Sequence, residues 1–235
     1  MVDPISISEA AQVLKLSPAR VRAMASRGQV PATKIADRWL VERSAVEQRL
    51  RQKAVRGRRF TPRNAWAILL LASGEDAPKL DPSVRSRLRR AVTLEGLEDL
   101  APRLGNRAEI SMYRAHPGEV SYVVEDRALV PSGISAAGPM GIGLLASREA
   151  DGYIAQSQLQ RFIGEHALSL GGVDGNVRLR VVPDEVWQNL SGRSVAPPAA
   201  VALDLADEPD PRSAAAGNKL VRQIDQRRRA QIKGG

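Results

Sequence analysis

Apolar positions near the start of the chain recur at helical spacing. Ala10, Val13 and Leu14 stand at i, i+3 and i+4. Ser8 is the expected N-cap, and Glu9 lies in the first turn, where a carboxylate suits the helix dipole. Leu16 closes a short turn. Ser17-Pro18 then restarts the chain, pairing a capping hydroxyl with a proline at the first helical position. Val21, Met24 and Ala25 make the buried stripe of a second helix, expected over residues 17–27, and Gly28 supplies a left-handed end. Val30-Pro31 and Trp39-Leu40-Val41 flank a polar stretch, which predicts a hairpin with Lys34 and Arg38 near its tip. Ser44 is the expected cap of a third helix, with Val46 and Leu50 inward.

Further along, Pro62 opens a strongly apolar helix that stops at Gly74, with Trp66, Leu69 and Leu70 inward. Pro82-Ser83 opens another, placing Val84, Leu88 and Ala91 inward and Arg85, Arg89 and Arg90 outward, and LEGLEDLAPRL reads as a third. These three are either the helical layer of a second domain or a second helical DNA-binding bundle. Beyond Ala108 the period changes. Glu109 to Arg114 alternates as a strand, Pro117 to Ala128 reads as a short helix, and Leu129 to Ala137 as a strand running into a turn. Gly152 to Ile154 reads as a brief strand. Gln156 to Leu168 reads as an amphipathic helix with Leu159, Phe162 and Ile163 inward. Val177 to Val182 is the clearest strand, with Val177, Leu179 and Val181 toward the core and Arg178 and Arg180 away from it. Two helices follow Pro197-Pro198, joined by residues 208–211, with Asp204 and Arg212 able to pair across the joint. Residues 226–235 read as a frayed basic end. The expected class is α+β: a winged helix-turn-helix over residues 1–55, a basic linker over 56–63, and a larger mixed α/β domain with a small sheet over 64–235.

Charge sharpens this division. Of the formal net charge of +9, residues 1–63 carry all of it, with 14 Lys and Arg against 5 Asp and Glu. The remaining residues balance at 21 of each sign. Concentrated positive charge is the electrostatic footprint of a phosphate-binding segment. Ser17, Ala19, Arg20, Arg22 and Arg27 on the second helix, Lys34 and Arg38 on the hairpin, and Arg56, Arg58 and Arg59 in the linker are the candidate contacts to double-stranded DNA. The alternative is a small helical domain whose arginines merely solvate a face, and a linker that is merely a solvated hinge. Arginine outnumbers lysine 29 to 6, a usage of GC-rich bacterial genomes.

Other chemistry is sparse. With no cysteine, there is neither a disulfide framework nor a thiolate metal site, and a reducing compartment, the cytoplasm, is expected. No apolar run reaches the ~18 residues of a membrane span, and a signal-peptide apolar region is lacking at the start. His116 and His166 are read as surface or boundary imidazoles rather than catalytic groups. GPMGIG lacks both the GK[ST] ending of a phosphate loop and the strand–GxGxxG–helix context of a dinucleotide site, so it is read as a tight turn. No cofactor and no enzymatic activity are expected.

Two resemblances add to this reading. Residues 5–51 resemble the excisionase and MerR-like winged helix-turn-helix family through ISISEAAQVLKLS, SPARVR, RGQVPA and DRWLVERSAVEQRL. That resemblance implies that Ser17, Ala19, Arg20 and Arg22 face the major groove and that Lys34 and Arg38 touch the backbone or minor groove. Residues 60–225 resemble the C-terminal domain of AbiEi-type antitoxins through SGISAA, RLRVV and VAPPAAVALDLADEPDPRSAAAG. This second resemblance implies a repressor of its own operon that also engages a nucleotidyltransferase toxin. It departs from that family in the kind of N-terminal module. Separately, one small winged helix buries a limited interface, so a homo-oligomer on DNA is expected, with residues 64–235 as the interaction or dimerisation domain. An excisionase-like or phage-type architectural factor without a toxin, and an enzyme with a DNA-targeting domain, are the alternatives.

Overall fold

A computed structural model describes residues 4–43, 45–46, 58–77, 80–144, 148–172 and 175–233. The expected third-helix cap Ser44, its Leu50 and the linker residue Arg56 lie outside the described residues.

The N-terminal unit is built from β1 (Pro4–Ser6), α1 (Ile7–Leu14), α2 (Pro18–Ser26), β2 (Ala32–Ile35) and β3 (Arg38–Glu42). Its antiparallel sheet has the order β1-β3-β2. α1 begins two residues earlier than expected. Ser6, not Ser8, is the N-cap: its hydroxyl accepts from Glu9 N–H while the Glu9 carboxylate accepts from Ser6 N–H at 2.8 Å. That earlier start turns Ile7, Ala10 and Ala11 inward and leaves Val13 exposed at 37%, against the expected stripe. Ile5, Val21, Met24, Ala25, Val30, Val41 and Val46 complete this core.

The larger unit contains α3 (Pro62–Ala72), α4 (Pro82–Leu100), β4 (Glu109–Arg114), α5 (Val120–Glu125), β5 (Val130–Pro131), α6 (Gly133–Ala137), β6 (Ala150–Ala155), α7 (Leu159–Glu165), β7 (Ser169–Leu170), β8 (Val177–Val182), α8 (Asp184–Trp187), α9 (Pro198–Ala206) and α10 (Pro211–Lys233). Its sheet has the order β5-β6-β8-β4-β7, with β6 and β8 parallel. Both faces are covered. Ile154, Val177 and Leu179 pack with Val123 of α5 and Phe162 of α7. Tyr153 and Val182 turn to the opposite layer, where Trp66 of α3 and the apolar residues of α9 lie. Every residue of β6 is buried, as a central strand requires.

Two expectations from the sequence do not hold. After β5, residues 133–137 form a helix rather than extending a strand. α10 is helical through Lys233, so residues 226–233 are not frayed. α4 is broken at Gly96, whose φ is 83°. Beyond the break the Asp225 carboxylate of α10 accepts from Leu97 N–H at 2.8 Å and Glu98 N–H at 3.1 Å. This carboxylate from a distant helix does the work of an N-cap.

Candidate nucleic-acid interface

The exposed face of α2 is set by the caps at its ends. Lys15 ends α1 in the left-handed conformation, with φ 55°. Ser17 then caps α2, its hydroxyl accepting from Arg20 N–H at 3.2 Å, with Pro18 at the first helical position. Val21, Met24 and Ala25 face the core. The opposite side of α2 therefore displays Ser17, Ala19, Arg20 and Arg22 to solvent. The structure brings these four together at the N-terminal half of one exposed helix, where side chains of such a helix reach base edges.

Two other candidates are exposed but engaged. Arg27 pairs with Glu109 of β4 at 3.4 Å, and Gln29 donates to the same carboxylate at 3.5 Å. Lys34 pairs with Asp37 at 2.7 Å across the hairpin turn. Such exposed pairs are worth about 0–1 kcal/mol, so a phosphate can displace either carboxylate. The Arg58 carbonyl accepts from Arg103 Nε at 3.4 Å. Arg38 is exposed and stands opposite Ile35.

The expected linker is attached to the larger unit at its described end. Phe60 N–H donates to the Arg103 carbonyl at 3.0 Å, and the Arg103 guanidinium lies 4.2 Å from the Phe60 ring centre. Arg58 and Arg59 are thus exposed side chains on an anchored strand of chain, with the Arg59 guanidinium beside Gly105.

The polar cluster of greatest density was missed by the sequence reading. Arg180 was expected to face solvent, and it is 1% exposed. Its Nε and Nη2 each donate to Asp151 at 2.7 Å, a bidentate pair, while its Nη1 lies 3.0 Å from Asp204. Asp204 does not pair with Arg212. It also takes Arg107 at 2.8 Å and the Ser132 hydroxyl at 2.5 Å. Arg178 pairs with Glu208. Burial alone would raise the Asp204 carboxyl, but Arg180 and Arg107 override it and hold it below the usual carboxylate range. Burial and then Asp204 push the Tyr153 phenol up. Alternation along β8 was read correctly. The error was to assume that an arginine face must be wet, when α9 brings carboxylates down onto it. The only trace in the sequence was Asp204 inside the otherwise apolar run AAVALDLA.

The histidines are peripheral to all of this. His116 Nδ1 accepts from Gly118 N–H, and His166 Nε2 lies 3.0 Å from Asp126 against the Phe162 ring. The GPMGIG stretch makes a turn over residues 138–141, with Gly141 and Gly143 at positive φ.

A family model described as a helix-turn-helix domain matches residues 5–54. No curated protein and no solved structure matches the chain. The matched span contains α1, α2 and the β2–β3 hairpin, so the segment with the exposed arginine helix is a helix-turn-helix domain of the DNA-binding kind. No helix among the described residues is long and apolar enough to cross a membrane.

Proposed function

We propose that the chain is a sequence-specific DNA-binding transcriptional regulator. The observation that carries this is the Ser17-capped helix α2, which displays Ala19, Arg20 and Arg22 within the matched helix-turn-helix segment. The concentration of the whole +9 charge in residues 1–63 supports it, because phosphate neutralisation supplies much of a DNA-binder's affinity. The test is a titration of the full chain against random duplex and against duplexes selected from a random pool, at stepped salt. A selected sequence bound at least ~10³-fold tighter than random duplex, with affinity falling steeply with salt, is expected. Equal affinity for both, or none at low salt, overturns the reading.

The finer reading is an antitoxin that represses its own operon and holds a nucleotidyltransferase-type toxin through residues 60–225. What favours it is that the stretches carrying the resemblance belong to one connected unit. Ser132 at the start of α6, Arg180 of β8 and Asp204 of α9 meet in one buried cluster. The carboxylates of that cluster are enclosed by arginines, which supports a structural rather than a catalytic use. Co-purification with a nucleotidyltransferase encoded beside the gene tests it. A neighbouring integrase and no retained toxin would favour the excisionase-like reading instead.

A further inference from the structure

The tip of the β2–β3 hairpin carries an apolar side chain that the domain's own core does not use. The strands close through Ala36 and Asp37, both at positive φ (43° and 61°), which is the tight turn suited to twisted hairpins. The register places Ile35 directly opposite Arg38 and Lys34 opposite Trp39. Side chains alternate along the pleat. Ala32 and Val41 are buried, so Lys34 and Trp39 continue the inward face, and Trp39 packs on the core. The outward face carries Thr33, Ile35, Arg38 and Leu40. Ile35 is 56% exposed there, more than any other large apolar side chain described in this domain. The turn residues are short, and the Asp37 carboxylate is held by Lys34 at 2.7 Å. What projects from the tip is therefore an aliphatic branch beside a guanidinium.

We propose that Ile35 is a DNA wedge. When α2 occupies the major groove, the hairpin tip enters the neighbouring minor groove, Arg38 meets its negative potential, and the Ile35 side chain inserts at a base step. This rests on the DNA-binding reading above and adds to it a mode of recognition: deformability of a step, not the pattern of its edges. The pairing of the two side chains fits that target. An arginine is drawn to the narrow groove of A·T-rich sequence, and an aliphatic side chain gains burial only if the stack opens. Pyrimidine–purine steps open at least cost, so one such step at a set distance from the bases read by α2 is the expected partner.

The test uses the full chain and the duplex it selects from a random pool, with 2-aminopurine placed at successive steps and bending measured by circular-permutation gel shift. The wild-type chain is expected to brighten 2-aminopurine at one step and to bend the duplex by about 20–90°. Ile35→Ala is expected to abolish both signals while keeping the salt dependence, and Ile35→Leu to retain them in part. The Ile35 side chain is mostly in solvent, so these variants fold as the wild type does, which circular dichroism checks. Unchanged bending and brightening in Ile35→Ala overturn the wedge, as does a wild-type complex that leaves every step stacked. Failure to select any duplex instead removes the DNA-binding reading, and the wedge falls with it. Arg20→Ala separates the two, since it should lower selectivity while the complexes that still form remain bent.

Discussion

Single side chains in this protein differ sharply in what their loss should cost. Arg20 and Arg22 contribute nothing to either core, so replacing either with alanine should leave the melting temperature unchanged. Binding to the selected duplex should weaken by about 1–3 kcal/mol, with relaxed base choice at one position. Anisotropy titrations read both effects, and an unaltered affinity in both variants would remove α2 as the reader. Asp204 is the reverse case. It faces Arg107, Arg180 and the Ser132 hydroxyl in a buried site. Asp204→Asn leaves two guanidinium groups under-compensated, and should cost about 3–5 kcal/mol in denaturant unfolding without touching the DNA surface. Its acid response follows from the same contacts. The folded carboxyl is held below its unfolded value of roughly 3.9, so its contribution is present above that pH and lost as pH falls through the lower folded value. Acid unfolding of the wild type should therefore show a stability loss below about pH 4 that Asp204→Asn lacks.

At the scale of elements, the sequence was most legible where one local rule decided the outcome. β4 and β8 were read with their bounds, α2 by its serine cap and first-position proline, and α3 by its first-position proline. It failed where a distant partner decided. Residues 133–137 were read as a strand running into a turn, yet they form a helix that starts at Gly133, which takes φ 48° over the Asp151 carboxylate. A Cβ at Gly133 would stand 2.1 Å from Asp151 Oδ2. Gly133→Ala should thus both strain the backbone and displace the partner of Arg180, costing at least ~2 kcal/mol by denaturant titration. A loss below ~0.5 kcal/mol would show that the carboxylate can move aside. The candidate interface was legible for the same reason as α2: caps and i, i+3, i+4 spacing are local. The engagement of Arg27 by Glu109 was not, because the two stand 82 positions apart.

For the whole molecule, that last contact means the helix-turn-helix unit rests against the sheet of its neighbour through the end of α2. Gly28, at φ 66°, lies so close to Met112 that an added Cβ would stand 2.9 Å from the Met112 Cβ. Glu109 places a negative charge beside an arginine otherwise available to phosphate. Glu109→Gln should then strengthen binding to random and selected duplex alike by a few-fold at low salt, an effect that ~0.5 M salt erases. No change would mean that Arg27 stands off the DNA. Within the larger unit α10 is also tied to α4, through the Asp225 carboxylate at the break in α4. This gives the molecule an internal gauge. The amides of Leu97 and Glu98 are protected from exchange only while the terminal helix stays seated, so their deuterium uptake times its departure, though they lie well over a hundred positions upstream in the chain. Any ligand or partner that grips α10 should slow exchange at those two amides before it slows exchange anywhere in the DNA-binding unit.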